Sequence, residues 1–203
     1  MKGLLLKDWY NLKQYVMVMA LFFVIGCINE SFSYVLVVLG VMMVATSFYY
    51  DNYSKWDKFA RSMPLSLEML VGSKYLLMLI NAAGAFVAAL AAQYIHSLLS
   101  QTPFGGSMQT LLGFLFGSLL FGSLLLPIVI KFGPEKMRYM MIVICALGGI
   151  AIGGVFALTE GAMPDLSIIS INFIFFVLLP LAAAIALVVS YMVSLRIYQK
   201  KEF

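Results

Sequence analysis

Few side chains in this 203-residue chain are of types that do chemistry, and fewer stand at spacings that would let them. His96 is the sole histidine, so paired imidazole ligands for zinc are unavailable. Cys27 and Cys145 fall within apolar stretches, lack metal-ligand spacing and read as small buried hydrophobes. There is no GxxxxGKS/T loop to cradle phosphates, and Gly105-Gly106 is a loop breaker, so this chain is not expected to bind or hydrolyse ATP itself. Asn81, Gln93 and His96 remain as polar groups that would line a path or touch a ligand. Hydrogen bonding to a neighbouring helix is the stronger reading for Asn81, because polar interhelical bonds are common in lipid. For His96 it is an interfacial ring satisfied by a neighbouring helix or a headgroup. The expectation is a chain without catalytic residues, metal or cofactor of its own.

The elements that must position these groups are membrane spans. The apolar fraction is 63% and charged residues make up only 11%, which excludes an ordinary soluble domain. Crossing the hydrocarbon takes about 20 apolar residues per helix. Six apolar segments meet or approach that length, at residues 15–27, 34–50, 75–98, 110–130, 139–158 and 168–195. They use most of the chain, so residues 1–203 form one all-α transmembrane domain. All thirteen Lys and Arg residues fall in alternate connections or at the termini, while the remaining connections hold only Glu30, Glu160 and Asp165. Basic residues stay on the cytoplasmic side of short loops, so both termini are expected inside. The basic face is explained by topology and anionic lipid, and nucleic-acid binding is not expected. No small-residue cleavage site follows the first apolar stretch, and it reads as a retained span.

Residues 2–14 are expected to form an interfacial helix with Leu5, Trp9, Leu12 and Val16 on one face and Lys7, Asn11 and Gln14 opposite. The inner connection from 51 to 71 carries a second amphipathic pattern. Tyr53, Trp56, Ala60 and Met63 share one face, and Lys55, Lys58, Arg61 and Ser62 the other. Pro64 ends that helix, Ser66 caps the third span, and Glu68 sits favourably in its first turn. Such a helix either lies flat on the membrane or docks a cytoplasmic partner. Gly113 with Gly117, and Gly149 with Gly153, have the spacing that lets helices approach closely.

Three segments in this order, LLLKDWYNLK, YYDNYSKWDKFARSMPLS leading to SKYLL, and KFGPEKMRY, resemble small bacterial ABC type-2 transporter permeases. The middle segment is the most specific, and the resemblance covers essentially the whole chain. The nearest likeness is to permease subunits of Gram-positive exporters of amphipathic cytolytic peptides. The resemblance implies six spans, a second permease copy as homo- or heterodimer, and two copies of a separate ATP-binding subunit that carry ATP and Mg. It implies an N-terminal elbow helix at 2–14 and a coupling helix at 51–66 that docks into the ATPase. Asp51, Tyr53, Trp56, Asp57, Lys58, Phe59, Arg61, Met63 and Pro64 would form that contact. Gly133, Pro134, Glu135, Lys136 and Arg138 would form a smaller second one.

On this reading the chain is a permease subunit of an ATP-driven exporter in the bacterial plasma membrane, moving an amphipathic peptide or other hydrophobic cargo. A substrate-capture subunit of an importer would need a polar pocket at the outer ends of the spans, where the loops are short and poor in hydrogen-bonding clusters. An intramembrane enzyme would need paired catalytic residues within spans. A peptide-sensing or immunity subunit of the same fold is not separated from an exporter by the sequence. With no charge expected in the middle of a span, a proton or sodium relay is also disfavoured.

Overall fold

The computed structural model describes residues 2–56, 59–60, 66–101, 108–133, 135–137, 139–140, 142–143, 146 and 174–200. In lipid every backbone polar group must be satisfied within the segment, and long uninterrupted apolar runs meet that demand as helices. The described residues form α1 (Lys2–Ile28), α2 (Glu30–Tyr53), α3 (Leu67–Ser100), α4 (Met108–Phe132), a π-helical turn (Ile174–Leu178) and α5 (Leu179–Lys200). Five of these stretches are long and apolar enough to cross a membrane. The expected fifth span at 139–158, with Gly149 and Gly153, lies almost wholly outside the described residues. The π turn ends two residues before Pro180, whose missing N–H interrupts the regular ladder.

Helix ends follow local chemistry. A single non-helical residue, Asn29, separates α1 from α2, and its side chain accepts from the Ser31 amide at 3.1 Å. The expected outer turn over 29–33 is therefore shorter, because capping lets α2 begin at once. Ser66 caps α3 by accepting from the Met69 amide at 3.3 Å, with Glu68 in the first turn. Gly133 closes α4 at φ +80, a conformation glycine adopts without steric cost.

The expected interfacial helix and first span are one continuous helix, α1, and its packed face differs from the apolar face read in the sequence. Leu4, Asp8 and Leu12 are buried, whereas Trp9 and Val16 are exposed. The reason is electrostatic: Asp8 turns inward because a cation of α3 meets it there.

Close approach of helices also occurs where the sequence motif did not place it. A Cβ on Gly40 of α2 would lie 2.4 Å from Ala85 Cβ and 2.9 Å from the Asn81 carbonyl oxygen of α3. One on Gly122 of α4 would lie 2.6 Å from Val41 and 2.7 Å from Met78 Sδ. Among the described residues Gly117 has nothing within 4 Å of such a Cβ, and it borders, with Gly113, an apolar cleft of about 820 Å³ between α2 and α4. Small residues on α3 line its packed side, where Ala82, Ala85, Ala89 and Ala92 are all buried, Ala85 facing Gly40 of α2 and Ala92 facing Gly26 of α1.

Pro127 lies inside α4 and cannot donate to the carbonyl of Ser123 four residues earlier. Ser190 of α5 donates its hydroxyl to that carbonyl. With its proton committed, Ser190 Oγ must accept from Tyr75 of α3 at 2.6 Å, and Tyr75 in turn accepts from Ser194 at 2.8 Å. A directed chain of hydroxyls thus ties α3, α4 and α5 around the proline.

Candidate functional site

One end of the bundle collects the start of α1, the end of α2, the start of α3 and the last turns of α4 and α5. Leu4, Asp51, Trp56, Leu70, Ile130 and Tyr198 border one small recess there. At its centre Lys74 Nζ donates to both Asp8 oxygens at 2.9 and 3.0 Å, to Ser47 Oγ at 2.6 Å, and to Asp51 Oδ2. Ser47 Oγ also reaches Asp8 Oδ1 at 3.0 Å. Lys7 Nζ bonds Asp51 Oδ1 and lies 3.2 Å from Asp8 Oδ1. Asp8 is 1% exposed, Asp51 4% and Lys74 7%. Unpaired charges this deep would be costly, but two ammonium and two carboxylate groups sum to zero and share dense hydrogen bonds. The cluster pins α1, α2 and α3 to one another.

The inner connection starts beside this cluster. α2 ends at Tyr53, and the chain turns through Ser54 and Lys55, the latter at φ +51. Trp56 then lies under Lys7, whose ammonium is 4.2 Å from the ring centroid. Phe59 packs its ring 5.6 Å from that of Trp56 and is itself exposed, while Ala60 is fully buried in the core cluster with Leu4, Leu70 and Tyr198. One side of the connection is thus anchored in the bundle and Phe59 is presented outward.

Two expected contact residues are placed differently. Asp51 faces inward, held by Lys7 and Lys74, and does not belong to the presented surface. Tyr53 is the exposed last residue of α2 and does not share a helix face with Trp56, because the left-handed Lys55 turn intervenes. Asp57, Lys58, Arg61, Met63 and Pro64 lie outside the described residues. In the second inner stretch Gly133 ends α4, Glu135 and Lys136 are exposed, and Met137 packs into the core. Pro134 and Arg138 lie outside the described residues.

At the opposite end Gln93 Nε2 donates to Ser33 Oγ at 3.0 Å, and Ser33 donates to the Glu30 carbonyl at 2.6 Å. His96 Nδ1 is 3.3 Å from the Cys27 carbonyl. Both side chains tie α3 to the α1–α2 turn. Asn81 is buried beside an apolar cleft of about 440 Å³ between α1, α2 and α3, and its Nδ2 has no hydrogen-bond partner among the described residues.

Asp8 and Lys74 escaped the sequence reading, which counted Lys74 among basic loop residues. A signal was present: Leu4, Asp8 and Leu12 recur every four residues, placing Asp8 on the stripe that packs. Among the described residues no group of His, Cys, Asp and Glu is placed to hold a metal ion.

Among the described residues, a buried cluster of four charges stands at one end of a helical bundle, beside an aromatic connection partly anchored in it. Neither a curated protein nor a solved structure matches the chain. Residues 3–199 match the family model described as ABC-2 family transporter protein. With nearly its whole length inside that match, the chain belongs to the ABC-2 family of transporter proteins.

Proposed function

We propose that this ABC-2 permease subunit is one half of the translocation path of an ATP-driven exporter, moved by a separate ATPase that docks on its inner connection. Family membership supports the permease role and an ATP-binding partner. The observation that carries the docking assignment is the stance of the connection: Ala60 and Trp56 hold it to the bundle while Phe59 faces out. Interfaces favour aromatic anchors surrounded by polar groups, and Asp57, Lys58 and Arg61 of the sequence supply those groups. Glu135 and Lys136 add a smaller exposed contact.

A second permease copy would cover the apolar surfaces of α1 and α5, and six spans with both termini inside complete the topology. The cargo class, an amphipathic peptide or other hydrophobic molecule, rests on the sequence resemblance, as does the bacterial plasma membrane. ATP and Mg belong to the partner.

The test is co-purification of the full chain with its ATPase subunit, followed by ATP hydrolysis in liposomes with a dye-labelled amphipathic peptide. The expected result is a stable complex whose hydrolysis rises with peptide. Replacing both Trp56 and Phe59 by Ala should abolish association and leave membrane insertion intact. Unchanged association would sink the docking assignment.

A further inference from the structure

Of the four charged groups in the buried cluster, Lys7 is the one that stands over a ring of the inner connection among the described residues. Its side chain is 24% exposed, against 1% for Asp8. It also makes two kinds of contact at once. On one side it bonds Asp51 and approaches Asp8; on the other it stands over Trp56. Without Lys7, Asp8 and Asp51 would face a single ammonium, that of Lys74, and the junction of α1, α2 and α3 would hold a net negative charge. The charge balance inside the bundle therefore depends on a residue whose other contact is the connection.

A tryptophan face is the best ring for a cation, and the contact is weaker than a buried ion pair. The two attachments of Lys7 are thus unequal. If Trp56 moves with the connection, either its ring leaves the cation or the cation follows and loosens from Asp51. The turn at Lys55 sits between α2 and Trp56, so the ring has a local pivot separate from the helix that carries Asp51. Movement of the connection and the packing of three spans then share one ammonium group.

We propose that Lys7 is a positioning residue for transport, linking displacement of the inner connection at Trp56 to the arrangement of α1, α2 and α3. The inference rests on the reading of that connection as the ATPase contact. Lys7 touches neither cargo nor nucleotide in this scheme. Its role is to make the buried cluster sense where Trp56 lies.

The experiment uses the full chain assembled with its ATPase subunit in proteoliposomes, measuring transported dye-labelled amphipathic peptide per ATP hydrolysed. Lys7→Met should leave assembly and hydrolysis in place but lower that ratio about tenfold, the change expected from losing one desolvated cation–π contact. Trp56→Leu should lower it similarly, and the double variant no further. Lys7→Arg and Trp56→Phe, which keep cation and ring, should retain most of the ratio. Lys7→Met with Asp51→Asn restores the charge balance, so it should fold well and still be uncoupled. In a Trp9→Phe background Trp56 is the sole tryptophan, and its emission should change on Lys7→Met and not on Lys7→Arg.

A Lys7→Met protein that transports with the wild-type ratio overturns the proposal. So does a loss of hydrolysis and transport in strict proportion to folded protein, which would make Lys7 merely structural. Both results leave the docking assignment standing. Failure of the wild-type chain to bind any ATPase overturns that assignment and the coupling role together.

Discussion

Removing Lys74 should do more damage than any other single change at the inner end of the bundle, and its repair should be selective. Lys74→Met keeps the length of the side chain but deletes both bonds to Asp8, the bond to Ser47 and the bond to Asp51. Two carboxylates are left with one ammonium. Breaking a buried pair by removing one partner costs about 3–5 kcal/mol, because an uncompensated charge stays behind. Lys7 softens the loss for Asp51, which it already bonds, more than for Asp8, from which it is 3.2 Å away. Asp8 is therefore the stranded group. Adding Asp8→Asn to Lys74→Met restores neutrality and keeps the Lys7–Asp51 pair, so it should recover more than half of the loss. Adding Asp51→Asn restores neutrality too, but leaves Asp8 with the longer contact and should recover less. Thermal stability in detergent, followed by fluorescence-detected size exclusion, reads all four proteins on one scale. Wild-type stability for Lys74→Met, or better rescue by Asp51→Asn than by Asp8→Asn, would refute the assigned pairing.

Other expectations come from packing and from backbone accounting. Gly40→Ala drives a Cβ into Ala85 and the Asn81 carbonyl and should cost about 1–3 kcal/mol, whereas Gly117→Ala meets no described residue within 4 Å and should be nearly silent in the same stability assay. Ser190→Ala strips the donor from the Ser123 carbonyl and should cost about 1 kcal/mol. Pro127→Ala supplies the missing helical N–H, so it should offset most of that loss in the double variant. Replacing Trp56 and Phe59 together by Ala should remove ATPase co-purification without lowering the amount of chain in the membrane.

Much of the fold was legible because its signals are local. Long apolar runs announce spans and Ser66 announces a cap, since each depends on a few neighbouring residues. The protein-packed face of α1 is not legible for the opposite reason. Leu5, Trp9, Leu12 and Val16 mark the apolar face of an interfacial helix, but lipid and protein interior are nearly alike in polarity, so a hydrophobic stripe does not say which residues pack against protein. The glycine pair at 113 and 117 shows the same limit of local signals: spacing permits close approach, and a facing small residue, as Ala85 is for Gly40, is what makes it happen.

What the sequence determined by itself is a helical membrane chain and local features such as the Ser66 cap. Those properties follow from hydrogen bonding within one segment and from the cost of placing charge in lipid. Only the tertiary structure decided that Asp8, Asp51, Lys7 and Lys74 meet, and that Asp51 turns inward to the two lysines. It also paired the Ser123 carbonyl, freed by Pro127, with Ser190. Groups 66 residues apart, as Asp8 and Lys74 are, share no local pattern. Their pairing arises because each charge, once carried into the bundle, is stable only where the other arrives.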